Sequence, residues 1–392
     1  MIQQDHLQVF DVILTTQSPL FIGSGVKNTK KEYLYSPQQN CVRMLDQDAL
    51  FALIIQKGYM DAYEQFMISS EDNSLWAFLT QTCGMTDTEL DTTVINGRKL
   101  VRYRLPVSGG YDTTRELHPF FRDAYDRAYV PGSSLKGALR TAWLLHEMRR
   151  APAVRKNMRS TSDFNNSKGK KESHFPENQF TNRLRKSEPG KNPPKRPDAM
   201  LDSIFRGIQV SDSTPIPNDQ MVLTGCTLIS PLSAATVGET FDGHPKELPL
   251  YQECVRPGVK IQFRLTLDLS IINQHATPIT AASLLEAIRD FDDFYKKSFR
   301  SHFPAGDQFA VLPQQPHLIL GGHTGYFSKT LVYPYLEEHP DEALRWVQNY
   351  MMRKFRGKHD NDDQLGISPH RMRFVRYYGK FYPIGFCGVS IQ

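Results

Sequence analysis

The segment Pro131-Gly-Ser-Ser-Leu-Lys-Gly-Ala-Leu-Arg140 constrains the fold of this chain more than any other stretch. Proline, glycine and two serines in succession are typical of a turn that opens a helix, because a serine hydroxyl accepts from free backbone N–H groups at a helix start. The apolar spacing that follows predicts a helix over 135–150, with Ser133 or Ser134 as its N-cap. The free N–H groups at such a turn also favour an anion.

Two further turns share this composition. Gly23-Ser-Gly25 precedes three lysines, and segment 321–330 reads Gly-Gly-His-Thr-Gly-Tyr-Phe-Ser-Lys-Thr. Glycine lets a backbone approach a phosphate closely and a nearby lysine adds charge, so each turn could grip a phosphate. Neither lysine-containing turn has the order Gly-Lys-Ser/Thr of a nucleotide-binding P-loop, because Lys136 precedes Gly137 and Ser328 precedes Lys329. The alternative is that these glycines serve tight turns and close strand packing.

A basic stretch, residues 151–197, interrupts the chain after the predicted helix. It holds twelve Lys and Arg residues against four Asp and Glu residues, whereas the whole chain carries a net charge of only +5. The stretch is rich in Lys, Asn, Ser and Pro and poor in aliphatic residues, so it predicts a disordered insertion. A local basic excess favours a polyanion contact, and a solubilising loop is the alternative.

The remaining pattern predicts an α+β protein of two domains, 1–215 and 216–392. Strands are predicted at 7–16, 221–230, 259–268 and 378–392, with a hairpin turn at Asn96-Gly97. Helices are predicted within 46–78 and over 278–299 and 341–355. Each half thus combines strands, helices and a glycine-rich turn.

The cysteines and the hydropathy pattern narrow the class of protein. Five scattered cysteines without a Cys-x-x-Cys pair argue against a disulfide framework and against structural zinc. No run of about 18 apolar residues occurs, and the N-terminus lacks a signal-peptide pattern. The sequence therefore predicts a soluble cytoplasmic protein that does not contact a membrane.

The Pro131–Arg140 segment resembles the helix-opening motif of the RAMP superfamily of CRISPR proteins. The Ser18–Gly25 turn, the stretch Asp202–Asp212 and the 321–330 turn resemble the same superfamily. The 321–330 turn together with Pro383-Ile-Gly-Phe-Cys387 is most similar to the fifth-subunit family of the Csm complex of type III-A systems. The resemblance implies two ferredoxin-like (RRM-like) RAMP domains with helical insertions.

The resemblance also implies a function and partners. The family is implied to be a non-catalytic subunit that binds the guide RNA (crRNA), caps its 3′ end and is needed for crRNA maturation and antiviral defence. Other Csm subunits, above all the backbone RAMP subunit, are implied as partners, with target RNA and host ribonucleases for 3′ trimming as further candidates. Contacts with phosphate and sugar are expected, since the spacer part of a guide varies in sequence.

The residues proposed for RNA contact come from the three turns, among them the Pro131 motif, and from the strand near Tyr103. The rings of Tyr103 and Tyr326 could also stack on bases or wedge between them. They are Gly23, Ser24, Gly25, Lys27, Lys30, Lys31, Arg102, Arg104, Ser133, Ser134, Lys136, Arg140, Gly321, Gly322, His323, Thr324, Gly325, Tyr326, Lys329 and Thr330.

No catalytic residue, metal site or cofactor is expected. The turn after Gly25 lacks the acidic residue that the resemblance associates with target-RNA cleavage, and the histidines are isolated in sequence. The acidic segment 359–363 lacks the glycine of an EF-hand and predicts a solvated turn. Two alternatives stay open: a RAMP endoribonuclease that processes guide RNA, with His323 as the candidate for proton transfer, and a scaffold that binds RNA only with its neighbours.

Overall fold

The structure is a computed structural model of the 392-residue chain. It describes residues 6–36, 39–69, 73–109, 116–151, 177–178, 180–184, 190, 192, 199–231, 246–275, 277–304 and 316–392. The strands are β1 (Leu7–Thr16), β2 (Tyr33–Ser36), β3 (Cys41–Leu45), β4 (Val94–Ile95), β5 (Arg98–Lys99), β6 (Val101–Ser108), β7 (Glu116–His118), β8 (Ile208–Val210), β9 (Met221–Ile229), β10 (Lys246–Val255), β11 (Lys260–Asp268), β12 (Leu318–Ile319), β13 (Met372–Tyr377), β14 (Lys380–Pro383) and β15 (Phe386–Ile391).

The helices fall between these strands. They are α1 (Gln47–Lys57), α2 (Met60–Ile68), α3 (Leu75–Ala77), α4 (Asp87–Thr92), α5 (Gly132–Arg150), α6 (Ala199–Asp202), α7 (Leu269–Ile272), α8 (Ala281–Ser298), α9 (Val332–Tyr335), α10 (Pro340–Lys354) and α11 (Asp362–Leu365). A π-helical turn spans Phe78–Thr82, and 3-10 turns span Ile204–Gly207, Asn218–Gln220 and Arg300–His302. The predicted α+β class is confirmed.

Two larger sheets organise the chain, and both mix its halves. The first sheet has the order β12-β15-β1-β11-β8, so the first strand lies antiparallel between β11 and β15. The second has the order β14-β13-β9-β6-β3-β2, with β10 beside β9 and β7 beside β10. Each sheet therefore contains strands from both sides of residue 215. Two ferredoxin-like domains divided there remain a prediction.

Helices α5 and α8 pack on each other and on the first sheet. Val12 and Leu14 of β1 and Trp143 of α5 are buried in the same apolar cluster, which extends through most of the described chain. Helix α8 begins at a capping box, in which Thr280 and Ser283 satisfy each other's backbone N–H groups. Burial of these facing stripes fixes the start of α5 against the edge of the first sheet.

A helical insertion lies between β3 and β6 and includes α1 to α4. Its own apolar cluster contains Leu50, Leu53 and Phe78. Arg43 of β3 is fully buried and pairs with Asp87 and Asp91 of α4, at 2.9 Å in both cases. This pairing compensates the desolvation of the guanidinium and ties the insertion to the second sheet.

The sequence predictions of local structure are confirmed in most places. The Asn96-Gly97 hairpin forms, with φ of 52° and 78° at these two residues. The predicted last strand is instead two strands, β14 and β15. Most of the basic segment 151–197 lies outside the described residues. At its described end Phe180 and Leu184 are buried in the main apolar cluster, and a disordered insertion over the segment remains a prediction.

Candidate nucleic-acid interface

The three glycine-rich turns meet in one cleft of about 710 Å³. We call it the three-turn cleft. Its walls are Phe21, Ile22, Gly23, Gly25, Val26, Lys27, His118, Ser133, Ser134, Gly137, Ala138, Thr141, Ile319, Leu320, Gly321, Gly322, His323, Ser328 and Lys329. Segments about 110 and 190 residues apart in sequence are thus neighbours, as expected if they act on one ligand.

The first and third turns contact each other through their backbones. The N–H of Gly322 donates to the carbonyl oxygen of Phe21 over 2.8 Å. Gly321 has a φ of 97°, and a Cβ there would lie 2.2 Å from the same oxygen. Glycine is therefore required at position 321 for packing within the chain. The alternative that these glycines serve close packing holds for this residue.

Helix α5 supplies the second wall of the cleft. The predicted N-cap was wrong, because the helix begins at Gly132 and neither Ser133 nor Ser134 caps it. Asp212 takes that role from a distant segment, since its Oδ1 accepts from the N–H of Gly132 over 2.8 Å. Both serine side chains are instead available at the cleft.

Gly137 lies one turn further along α5 and faces the cleft. A Cβ at this position would meet no atom within 4 Å. Glycine inside a helix lowers stability by about 0.5–1 kcal/mol relative to alanine. Packing within this chain does not explain why position 137 is a glycine. The missing side chain widens the cleft at the wall that carries the helix start.

Two lysines bring positive charge to the cleft. Lys27 Nζ lies 3.0 Å from Glu116 Oε2, and both side chains are about half exposed or more. Lys329 is exposed on the third turn, although partial burial lowers the pKa of its ammonium. An exposed ion pair such as Lys27–Glu116 is weak and screened by salt, so a phosphate can compete for the lysine.

His323 lies in the cleft wall in a left-handed backbone conformation, with φ of 61°. Its ring stacks on Phe21 with centroids 4.9 Å apart, and Nδ1 lies 2.6 Å from Gln252 Oε1. The His118 ring is 5.6 Å from the His323 ring, and its Nε2 lies 3.3 Å from Glu116 Oε2. Sequence analysis missed His118, because nothing in its local pattern points to a residue 205 positions later.

Burial and the charge of Arg373 lower the pKa of His323 to about 4. An unfolded histidine has a pKa of about 6.5, so between these values the unfolded chain binds a proton that the folded chain does not. The stability contributed by neutral His323 is complete above about pH 6.5 and is lost as the pH falls toward 4. Between pH 7 and pH 5, His323→Asn should therefore lose less free energy of unfolding than the wild type does, as measured by urea denaturation at both pH values. Asparagine is chosen because it tolerates the left-handed backbone.

The chain has twelve histidines, so the comparison is between variants. His6→Asn, at an exposed position, should show the pH dependence of the wild type. Equal losses for His323→Asn and wild type would show that His323 is not held neutral by the fold.

Three predicted contact residues near the helical insertion have partners within the chain. Lys31 Nζ donates to the carbonyl oxygens of Phe66, Met67 and Ser69 at 2.7–3.1 Å, and so caps the end of α2. Arg102 pairs with Asp126, and Arg104 pairs with Asp91 at 2.6 Å. None of these three residues lines the cleft, and neither does Lys30.

The two cations of the Pro131 motif also point away from the cleft. Lys136 Nζ donates to the carbonyl oxygen of Ile208 over 2.6 Å, and burial lowers the pKa of this ammonium. Arg140 pairs with Glu177 at 3.2 Å and lies over the Phe205 ring. These contacts fix α5 to its neighbours, so the serines and Gly137 are the members of the motif that face the cleft.

Tyr103 was expected to stack on bases, and the structure does not support this. Its side chain is only 8% exposed. Its hydroxyl donates to Glu253 Oε1 over 2.8 Å, and the Arg122 guanidinium lies 3.7 Å from the centre of its ring. Tyr103 belongs to a buried polar cluster beneath the second sheet.

Other residues of the third turn are fixed by hydrogen bonds within the turn and to the chain that follows it. Ser328 Oγ donates to Thr324 Oγ1 over 3.0 Å, and Thr330 Oγ1 accepts from the N–H of Val332 over 3.1 Å. Gly325 has a φ of 88° and is exposed at the tip of the turn. Tyr326 turns away from the cleft, toward α10.

The acidic segment 359–363 is not the solvated turn that the sequence predicted. Asp362 is fully buried, and its oxygens lie 2.9 Å from His359 Nδ1 and 2.5 Å from His370 Nδ1. Burial acts to raise the pKa of Asp362, but these hydrogen bonds hold it below its usual range. The three side chains lie close enough together to hold a metal ion. However, Arg371 Nε donates to His370 Nε2 over 3.2 Å, and a neighbouring guanidinium disfavours a second cation.

The family model of the RAMP superfamily matches residues 13–302 of this chain. The chain belongs to the RAMP superfamily. The match includes the first turn and the α5 wall of the three-turn cleft, whereas the third turn lies beyond it. The resemblance stated from the Pro131–Arg140 motif is confirmed.

Relatives extend the likeness over almost the whole chain. The chain is 26% identical to the "CRISPR system Cms protein Csm5" of Mycobacterium tuberculosis strain H37Rv, over 99% of this chain and 98% of that protein. It is 28% identical to the Csm5 protein of Streptococcus thermophilus, over 84% of this chain and 81% of that protein. The predicted likeness to the fifth Csm subunit is confirmed.

Solved structures show the same fold. A chain of a type III-A Csm–crRNA–target RNA ternary complex superposes with a TM-score of 0.62 at 18% identity, covering 98% of this chain and 100% of that chain. The crystal structure of T. onnurineus Csm5 gives a TM-score of 0.57 at 18% identity, with 96% and 99% covered. Among the described residues of the present chain, no helix has the length and apolar character needed to cross a bilayer.

Proposed function

We propose that this RAMP protein is a non-catalytic crRNA-binding subunit of a type III-A CRISPR effector complex. The observation that carries the proposal is the convergence of three glycine-rich turns on one cleft with Lys27 and Lys329. The relatives named Csm5, and the fold shared with a chain of a Csm–crRNA–target RNA complex, support the choice of complex.

The cleft suits the sugar-phosphate backbone of RNA. Gly23 and Gly25 bring main chain without side chains to the cleft wall, the first turn of α5 lines another wall with Ser133 and Ser134, and two lysines add full charges. Lysine and backbone contacts with phosphates carry little sequence information, which suits a guide whose spacer varies. The serines at 133 and 134 can donate to phosphate or to a 2′-hydroxyl.

The finer role follows the family. The subunit caps the crRNA 3′ end, contacts the backbone RAMP subunit and other Csm subunits, and is needed for crRNA maturation and antiviral defence. Target RNA and host ribonucleases that trim the 3′ end are further proposed partners. Among the predicted contacts, the proposed interface keeps those that line the cleft; Lys31, Arg102, Arg104, Lys136 and Arg140 already have partners within the chain.

Replacing Lys27 and Lys329 together with alanine should weaken binding of single-stranded RNA. Each lysine that neutralises a phosphate adds about 0.7 to the slope of log affinity against log salt, so the double variant should lower that slope by roughly 1.4. Fluorescence anisotropy with a labelled crRNA over a series of salt concentrations measures this. Lys57→Ala with Lys99→Ala is the matched control, because both are exposed lysines away from the cleft.

An unchanged slope in the cleft variant, or an equal drop in the control, would contradict the proposed interface. If neither wild type nor variant binds RNA alone but both bind it within the assembled complex, the scaffold alternative is correct.

A RAMP endoribonuclease is the second candidate, because His118 and His323 lie side by side in the cleft. Two histidines can serve as general base and general acid in RNA cleavage. In the structure, however, Nδ1 of His323 is engaged by Gln252 and its ring is stacked on Phe21. Incubation of the protein with 5′-labelled precursor RNA, with and without metal, separates the two functions: specific cuts that disappear in His118→Ala and His323→Asn would establish the nuclease.

A further inference from the structure

The C-terminal end of α10 carries exposed positive charge that the proposed cleft does not use. Arg353, Lys354, Arg356 and Lys358 are all exposed, and none lies within salt-bridge distance of a carboxylate in the described part of the chain. A helix dipole favours basic residues in the last helical turn, which accounts for the first two. Arg356 and Lys358 lie beyond the helix, so the dipole does not explain them.

Aromatic side chains accompany these cations. The rings of Trp346 and Tyr350 are stacked, with centroids 5.7 Å apart and planes 10° apart, and the Lys354 ammonium lies over Tyr350. A shallow depression of about 630 Å³ is lined by Trp346, Asn349, Met352, Arg353 and Arg356. Positions 346, 349 and 353 recur every three or four residues and so share one face of the helix. We call these five lining residues the α10 face.

The α10 face connects to the three-turn cleft through the third turn. The Tyr326 ring lies 5.7 Å from the Tyr350 ring. Three residues later, Lys329 lines the cleft, and its N–H donates to the carbonyl oxygen of Tyr326 over 3.0 Å. One short turn therefore contacts the cleft at one end and the aromatic stack of α10 at the other.

We propose that single-stranded RNA leaving the three-turn cleft continues across the α10 face. A base stacks on Trp346, while Arg353 and Arg356 contact the phosphates on either side of it. Alternation of an aromatic platform with exposed cations is the arrangement by which proteins hold single strands without reading sequence. This inference rests on the proposed function, because it extends the path of the same RNA.

The test compares two labelled RNAs of one sequence: a short one that can fill only the cleft, and a long one that reaches α10. In the full-length protein, Arg353→Ala with Arg356→Ala should leave affinity for the short RNA unchanged. For the long RNA the salt slope should fall by roughly 1.4, because two phosphate contacts are lost. Arg289→Ala with Lys297→Ala, two exposed cations on α8, is the matched control and should change neither.

Tryptophan emission gives an independent readout. The chain has three tryptophans; Trp143 is buried, and Trp76 packs on the apolar cluster inside the helical insertion. Stacking of a base on Trp346 should quench emission when the long RNA is added, and Trp346→Phe should remove that quenching. The short RNA should leave emission of the wild type nearly unchanged.

The outcomes separate this inference from the proposed function. If the long RNA binds the α10 variant as it binds wild type, while the Lys27/Lys329 variant is weakened, the cleft stands and the path across α10 is refuted. If the cleft variant is unaffected with both RNAs, the proposed function fails first. If the α10 variant keeps its RNA affinity but no longer co-purifies with other subunits, the face binds protein and the inference is overturned.

Discussion

Replacing Glu253 with alanine should lower the free energy of unfolding by about 3–5 kcal/mol. Glu253 is completely buried in β10, and its carboxylate accepts from the Tyr103 hydroxyl at 2.8 Å, the Phe120 N–H at 3.1 Å and Arg122 at 3.3 Å. Burial raises the pKa of this carboxyl, and the three donors offset part of the rise. Removal of the carboxylate leaves the guanidinium of Arg122 buried and the Tyr103 hydroxyl without its acceptor.

The size of this loss depends on burial, so the control is an exposed carboxylate. Glu286→Ala, on the exposed side of α8, removes the same group and should unfold at the wild-type denaturant concentration. Urea denaturation followed by far-UV circular dichroism compares the midpoints and slopes. Equal midpoints for the two variants would mean that the buried network does not stabilise the fold.

Gly132→Ala should destabilise the protein by about 1–3 kcal/mol, the usual cost of forcing atoms into a packed interior. A Cβ at this position would lie 2.3 Å from the Val210 oxygen and 2.4 Å from the Ser211 oxygen, both of them backbone atoms that cannot rotate aside. Relief would require α5 to move from β8, and this would also break the 2.8 Å bond between the Gly132 N–H and Asp212.

Gly137→Ala is the same chemical change five residues later, and it should have the opposite sign. Its methyl group meets no atom of the chain, and alanine gains about 0.5–1 kcal/mol over glycine inside a helix. Thermal unfolding of both variants measures the contrast, and crRNA binding adds a second test. If the cleft holds RNA, Gly137→Ala should be more stable than the wild type yet bind RNA less well. Destabilisation by both alanines would contradict the view that Gly132 is needed for packing whereas Gly137 leaves space in the cleft.

These two glycines also show which features of the site can be predicted from the sequence. The Pro131 motif, its helix and the two companion turns were predicted from residue types and spacing alone, because turn chemistry is local. Their convergence on one cleft was not predicted, since it depends on strand pairings such as β1 with β11 and β15. The sequence also could not divide the glycines into one that packs and one that leaves space.

Charged residues were the least predictable part of the site. An isolated lysine looks the same in a sequence whether its ammonium meets a phosphate or caps a helix, and Lys31 caps α2. Arg104 and Tyr103 likewise face partners that lie far away in the sequence. The N-cap of α5 failed for the same reason, because Asp212 is 80 residues from Gly132. Partner choice is a property of the tertiary structure.

The position of β1 has a consequence for synthesis on the ribosome. Val12 to Thr16 pair with residues 387–391 of β15, so one side of the first strand has no partner until residues 387–391 have been translated. An unpaired apolar strand edge can pair wrongly with another chain. Release of the chain before β15 is made, or a slow codon just ahead of the β15 coding segment, should therefore yield insoluble protein more readily than a pause elsewhere, even though every residue that lines the cleft has already been made.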